Sequence, residues 1–480
     1  MGYSEAAYQA LVQDIFRRFP SVQKDGFSAG AYKPGLERMQ AFEEALGHPS
    51  RQFRSIHIAG TNGKGSVANM LASALSSCGL RSGLFTSPHL LDFRERMVIG
   101  PCHSERSEES LLIPKEYVFD FLTRWMPWIT EHQLSFFEIT TGLAFGWFAH
   151  EKVDVAVIET GLGGRLDSTN ILEKPDLTIV TTIGFDHMAL LGDTLPKIAA
   201  EKAGIFKADV PALVGEWQSD TAPVFEAASA QVTFADRLEP SLWPRHQATL
   251  AAMDLQADVQ QKNLRTVLAA VDILRQRSGY EPLANDEALL DGIIHTARNM
   301  GFHGRWERLQ ESPCVIADIG HNAHALQHNF AQLEARATHG LIIVYGIMAD
   351  KDLDAILPLM PRGATYIFTT PDTPRALPGQ EILRRFTAAR SASPENSVPL
   401  RPTPAPPTVS CVPPGLVSSG PLPLYLSGGG QVSGDALLAA SVPEAVKLAL
   451  SLATPDTIIY IGGSTFVVAD ALPLFNLTLV

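Results

Sequence analysis

Cysteine is scarce. Cys78, Cys102, Cys314 and Cys411 are scattered over 480 residues, and no C-x-x-C pair occurs. This argues against a disulfide framework or a zinc site and fits a reducing compartment. No Lys/Arg-rich run stands out, and 38 basic against 51 acidic residues give a formal charge of −13, so long nucleic acid is disfavoured as a partner. A small anion is still allowed, because local backbone amides and a few cations decide its binding. No apolar stretch approaches the ~20 residues needed to cross a bilayer. The start, MGYSEAAYQALVQDIF, lacks the basic opening and apolar core of a signal peptide. The expectation is a cytoplasmic protein that does not enter membranes.

What is present is ordinary for a globular protein with a real core: 45% hydrophobic and 19% charged residues, in a length suited to two or three domains. β-branched apolar runs alternate with helix-like stretches, the pattern of βα units around a parallel sheet. The expected strands are 53–59, 153–158, 177–183, 315–317, 341–345, 365–368 and 457–461. They fall into two groups, with a Gly-containing stretch at 299–307 between them. This predicts two α/β domains, 1–302 and 303–480, facing each other across a cleft. Two segments read as insertions. Residues 101–110 (PCHSERSEES) interrupt a hairpin between Met97-Val98-Ile99 and Leu111-Leu112-Ile113, and a Pro/Ser/Gly-rich stretch runs from about 391 to 434.

The strongest local signal is Gly60-Thr61-Asn62-Gly63-Lys64-Gly65-Ser66, between the first strand and a helix expected over 67–77. Strand, glycine loop and helix together make an anion cradle. Glycines let backbone N–H groups converge on phosphate oxygens, and the helix N-terminus adds its positive end. Lys64 would bring a cation to the phosphates. The generic P-loop pattern is met only in part: Ile58 stands where it has Gly, and Gly65 where it has Ser or Thr. A structural turn is the alternative reading.

In open α/β sheets ligands lie at the carboxyl ends of strands. Polar groups sit at three further such places: Thr86-Ser87-Pro88-His89, then Glu159 with Gly161-Leu162-Gly163-Gly164-Arg165, then Gly184-Phe185-Asp186-His187. Ser87 and Glu159 suit one Mg²⁺ ion and His187 another. Each also has a plainer reading as a turn or a hydrogen-bonded loop residue. Their joint occurrence in one half of the chain favours a site.

Together these segments resemble the folylpolyglutamate synthase and dihydrofolate synthase family, a branch of the Mur-ligase superfamily. The resemblance rests on GTNGKGS at 60–66, TSPHLLDFRER at 86–96, FFEITTGLAF at 136–145, ETGLGGRLDSTN at 159–170, GFDHMALLGDT at 184–194 and IAAEKAGIFK at 198–207. It continues with GRWE at 304–307, DIGHN at 318–322 and YGIMADKD at 345–352. It implies a P-loop-type parallel-sheet ATPase domain followed by a smaller Rossmann-like α/β domain that handles glutamate. By the same resemblance, Asn62, Gly63, Lys64, Gly65 and Ser66 hold ATP phosphates, and Asn263, Arg305 and Asp318 are further ATP contacts. Ser87 and Glu159 match the first magnesium site and His187 the second. Lys202 matches a lysine that is carbamylated in the family, although composition alone reads it as a surface helix lysine. Phe136, Phe137 and Glu138 resemble the pterin-side strip, although by composition the two phenylalanines read as core. His321 lies in the region of glutamate and acyl phosphate. The departures, Thr160, Ile319 and Gly320, stand beside functional positions rather than at them.

The activity implied is ATP-dependent ligation of L-glutamate to dihydropteroate or a reduced folate. The γ-phosphoryl turns the carboxylate into an acyl phosphate, which the amine of glutamate attacks. The resemblance further implies a monomer. One alternative is another Mur-type amino-acid ligase acting on a UDP-sugar precursor. Only 59 residues precede Gly60, fewer than the extra domain of such enzymes requires. The other is a non-catalytic nucleotide-binding scaffold, which predicts loss of one of Lys64, Glu159, His187 or Lys202. All four are present.

Overall fold

A computed structural model describes residues 2–26, 31, 33–100, 111–392 and 436–477. The insertion at 101–110 and nearly all of that at 391–434 lie outside the described residues.

The strands form two sheets. The first contains β1 (Arg54–Ala59), β2 (Ser82–Phe85), β3 (Met97–Ile99), β4 (Val155–Glu159), β5 (Leu177–Val180), β6 (Ala212–Val214) and β7 (Val232–Phe234), in the order β3-β2-β4-β1-β5-β6-β7. All neighbours are parallel except β2 and β3. The second contains β8 (Glu307–Gln310), β9 (Cys314–Asp318), β10 (Leu341–Tyr345), β11 (Thr365–Phe368), β12 (Ala436–Leu438) and β13 (Ile458–Gly462), in the order β12-β11-β10-β13-β9-β8. Here only β8 and β9 are antiparallel.

The central strands of the first sheet are buried and predominantly apolar because both faces are covered, as parallel sheets require. In β4, Val155 and Val157 pack with Val67, Met70 and Leu71 of the helix Lys64–Ser77, and with Leu264 and Val267 of the helix Gln260–Leu274. Ala156 and Ile158 point the other way, onto Ile139, Leu143 and Phe148 of the helix Phe136–His150. The expected hairpin is present: Ile99 N–H donates to Leu111 O at 3.0 Å and Ile113 N–H to Met97 O at 3.0 Å.

Three expectations need adjustment. The helix after the glycine loop begins at Lys64 rather than at 67, so Gly65 and Ser66 occupy its first turn. β5 ends at Val180, three residues short of the expected 183, and the chain beyond it is freed for the site. The strands β6, β7, β8 and β12 were not expected. Each is only three or four residues long and gives no readable period.

Candidate active site

Since β1, β2, β4 and β5 run parallel, their carboxyl ends open at one edge of the sheet. β1 leads directly into the glycine loop. Gly60 has φ of 149°, and a Cβ there would stand 1.8 Å from Thr181 Oγ1. Gly63 has φ of 86°, and its Cβ would meet Asn263 Oδ1 at 2.5 Å. Only glycine fits either position. Thr181 and Thr182 hydroxyls donate to Asn62 O at 2.6 and 3.2 Å and pin the loop to the strand beside it. The Lys64 ammonium folds back over this turn, donating to Gly60 O at 3.2 Å and Thr61 O at 3.3 Å.

Glu159 ends β4, buried, with the Ser87 N–H donating to its Oε2 at 3.2 Å and Lys64 Nζ 4.0 Å from Oε1. Burial raises its pKa, against the pull of Lys64. A Cβ on Gly65 would come within 3.7 Å of Glu159 and 3.6 Å of Arg305. The missing side chain thus leaves room between a carboxylate and a guanidinium. Ser66 is buried and accepts from Gln260 Nε2 at 3.4 Å, and Gln260 in turn accepts from Asn263 at 2.7 Å.

Lys202, on the helix Leu195–Ala203, is buried rather than on the surface, and its ammonium donates to Gly60 O at 2.8 Å. Burial, with Lys64 nearby, lowers its pKa to about 7. Six residues after β5, Asp186 is followed by His187, whose φ of 51° is left-handed and uncommon for a side-chain-bearing residue. Burial brings the His187 pKa down to about 4.

The second sheet closes over this edge. His321 follows β9. Its Nδ1 donates to Ile319 O at 3.0 Å, and its Nε2 lies 3.8 Å from Asp186 Oδ2. Burial, then Lys351, lowers its pKa to about 4. Asn322 caps the helix Ala323–Arg336 and donates to Asn62 Oδ1 at 3.1 Å, while Asn62 also bonds His324 Nδ1 at 2.9 Å. Asp318 is buried, and its carboxylate already accepts from Trp306 N–H, Gly320 N–H and Asn329.

A cavity of about 220 Å³ lies between the sheets, lined by Ser87, Phe136, Phe137, His187, His321 and Lys351 among others. Phe137 tilts toward Phe85 at 5.8 Å and Phe136 stacks on Phe16 at 5.1 Å. Glu138 departs from the expected strip. Its buried carboxylate receives the Ser135 N–H at 2.7 Å in a capping box and pairs with Arg38 at 3.0 Å, so it holds the helix start and is absent from the cavity wall.

Among the described residues no three His, Cys, Asp or Glu side chains gather as a metal-holding group. Ser87 and Glu159 do stand together. Their contact runs through the Ser87 backbone N–H, and one buried carboxylate with a serine next to it suits a hard cation that keeps waters and phosphate oxygens as its other ligands. Asp186 and Lys351 were not singled out in the sequence. Their signal lay within GFDH and ADKD, each following an apolar strand.

Residues 58–215 match the Mur ligase middle domain, and residues 304–400 match the Mur ligase glutamate ligase domain. The dihydrofolate synthase/folylpolyglutamate synthase of Bacillus subtilis is 35% identical over 367 residues, covering 72% of this chain and 83% of that protein. The fold is shared with the folylpolyglutamate synthase of Mycobacterium tuberculosis complexed with ADP (TM-score 0.75, 24% identity, 98% of this chain and 99% of that one). It is likewise shared with the bifunctional folylpolyglutamate synthase/dihydrofolate synthase of Yersinia pestis complexed with AMPPNP and a Mn ion (TM-score 0.73, 23% identity, 98% of each chain). Among the described residues no helix is long and apolar enough to cross a membrane.

Proposed function

The chain belongs to the folylpolyglutamate synthase/dihydrofolate synthase family of the Mur ligases, and on that premise we propose how its side chains divide the work of an ATP-dependent ligase that joins L-glutamate to a folate-type carboxylate. The observation that carries this reading is the meeting at one sheet edge of the loop cation Lys64, the buried Glu159 with the part-exposed Ser87 beside it, and a cavity walled by Phe136 and Phe137.

The loop amides from Asn62 to Ser66 cradle the triphosphate at the start of the helix Lys64–Ser77. Arg305 and Asn263 border the same space. We assign nucleotide binding to 1–302 and glutamate handling to 303–480. Ser87 and Glu159 would hold a magnesium ion, with His187 at a second position. When bound, the cation offsets the charge on the phosphoryl oxygens as the γ-phosphoryl moves to the carboxylate. Lys64 adds a fixed positive charge at the same point.

Lys202 is suited to carbamylation. Its lowered pKa leaves much of the amine neutral near pH 7, and a neutral amine adds CO₂ to give a carbamate anion with loss of one proton. The buried cation then becomes a carboxylate-like group beside the glycine loop.

Phe136 and Phe137 offer flat apolar faces to the aromatic acceptor, dihydropteroate or a reduced folate. On the opposite wall, Lys351 supplies positive charge for a dicarboxylate amino acid. His321 acts as an orienting acceptor rather than a base. Its Nδ1 donates to Ile319 O, so Nε2 carries the lone pair, and a pKa near 4 makes it a weak proton acceptor. Closure of the two sheets over the cavity keeps water from the acyl phosphate.

Release of ADP is measured with dihydropteroate and with tetrahydrofolate, each with and without L-glutamate. Glutamate-dependent release with either acceptor is expected. Tight ATP binding with no release from both would favour the non-catalytic scaffold instead.

A further inference from the structure

His57 lies in the middle of β1 with no exposed surface, and no step above uses it. Its Nε2 is 2.8 Å from Thr169 Oγ1, and the Thr169 hydroxyl is 2.5 Å from Asp167 Oδ1. A carboxylate only accepts, so the Thr169 hydroxyl donates to Asp167 and its oxygen receives His57 Nε2–H. This fixes the tautomer. Nδ1 is left as a bare lone pair, consistent with its having no hydrogen-bond partner. Burial, aided by Lys207, lowers the His57 pKa to about 3, so the imidazole is neutral.

From Asp167 the chain of bonds continues outward. Oδ2 accepts the N–H groups of Gly161 and Leu162, both at 2.9 Å. Leu162 and Gly161 line the cavity. Gly161 also presses against the aromatic wall: a Cβ there would lie 2.6 Å from Phe137 Cζ. One continuous path therefore joins the core of the central strand to the ring surface of the cavity. It passes through an imidazole, a hydroxyl, a carboxylate and two backbone amides, with every donor and acceptor aligned.

We propose that His57, Thr169 and Asp167 form a positioning relay that fixes the turn at Gly161 and Leu162 and, through it, the Phe137 wall, and so sets affinity for the aromatic half of the acceptor. The relay deepens the function proposed above and rests on it. It acts on the acceptor alone, since no bond in it reaches Lys64, Glu159 or Arg305.

Thr169→Val removes the hydroxyl, keeps the shape and leaves the Thr169 N–H cap on Asp167 in place. Its KM for the pterin acceptor is expected to rise about five- to tenfold, with kcat and the KM for ATP within about twofold of the parent. Thr169→Ser should restore the parent value. His57→Leu should repeat the defect. His57→Gln, whose amide reaches where Nε2 stands, should relieve it. If T169V does not accumulate folded, the H57L and H57Q pair makes the same comparison with the hydroxyl intact. A lower melting temperature with unchanged acceptor KM, or equal rises in acceptor and ATP KM, overturns the relay. Absence of turnover in the parent protein would instead overturn the functional reading, so the two failures are separable.

Discussion

Asp186 and Lys351 form an ion pair of 2.9 Å that spans the two sheets, with both side chains about a tenth exposed (12% and 11%). Asn322 also donates to Asp186, at 3.1 Å. Burial opposes ionisation of Asp186, but His187, Lys351 and His321 outweigh it and hold the carboxyl well below the usual carboxylate range. Lys351→Met leaves that charge without its cation, a loss of about 3–5 kcal/mol for a buried pair. A lower melting temperature and a fall in glutamate-dependent ADP release on the order of 100-fold are expected. Unchanged melting and an unchanged KM for glutamate would make the pair incidental.

Glu159 behaves differently, because in the folded chain it is a buried carboxylate whose nearest cation is 4.0 Å away. Glu159→Ala should therefore melt no lower than the parent while losing turnover by on the order of 1,000-fold. Near-normal activity across a magnesium titration would remove Glu159 from the metal site.

The lowered pKa of Lys202 has a defined sign. Between about 7 and the ordinary lysine value the unfolded chain binds more protons than the folded one, so stability rises with pH across that window. Urea unfolding of CO₂-free protein at pH 7 and pH 9 should show this gain, and Lys202→Met should lack it. Lys202→Ala should be nearly inactive and partly rescued by short carboxylic acids. Addition of ¹³C-labelled bicarbonate to the parent should give a carbamate carbon signal that the variant lacks; its absence from the parent would remove the modification.

Gly63→Ala places a Cβ against Asn263 in a left-handed backbone, at a cost of about 1–2 kcal/mol before the contact itself. The loop must shift, so calorimetry with a non-hydrolysable ATP analogue should show at least tenfold weaker binding in a protein that still binds the pterin acceptor. Equal affinity for the analogue would separate the loop from the nucleotide.

The parts of the fold that could be read in advance are those whose signal is local. The β4 and β5 runs, and Ile56 and Ile58 of β1, are apolar because both faces of these strands are covered, and the glycines at 60 and 63 mark a turn only they can make. The spacing Ser135-x-x-Glu138 is itself a capping signature, and it would have kept Glu138 out of the substrate strip. Lys202 could not be placed by composition, since Glu-Lys-Ala-Gly looks solvated and only its neighbours bury it. The roles of Asp186, Lys351 and Asp167 arise where distant segments converge, at separations of 165 residues for the first pair, which no local pattern encodes.

The alternation along β4 has a consequence for how the molecule can change. Val155 and Val157 belong to the packing beneath the nucleotide loop, whereas Ala156 and Ile158 belong to the packing behind the aromatic wall. One strand is thus a partition with a different tenant on each side. Substitutions at alternate positions can retune the choice of acceptor while the phosphate machinery, one residue away in sequence, is left undisturbed.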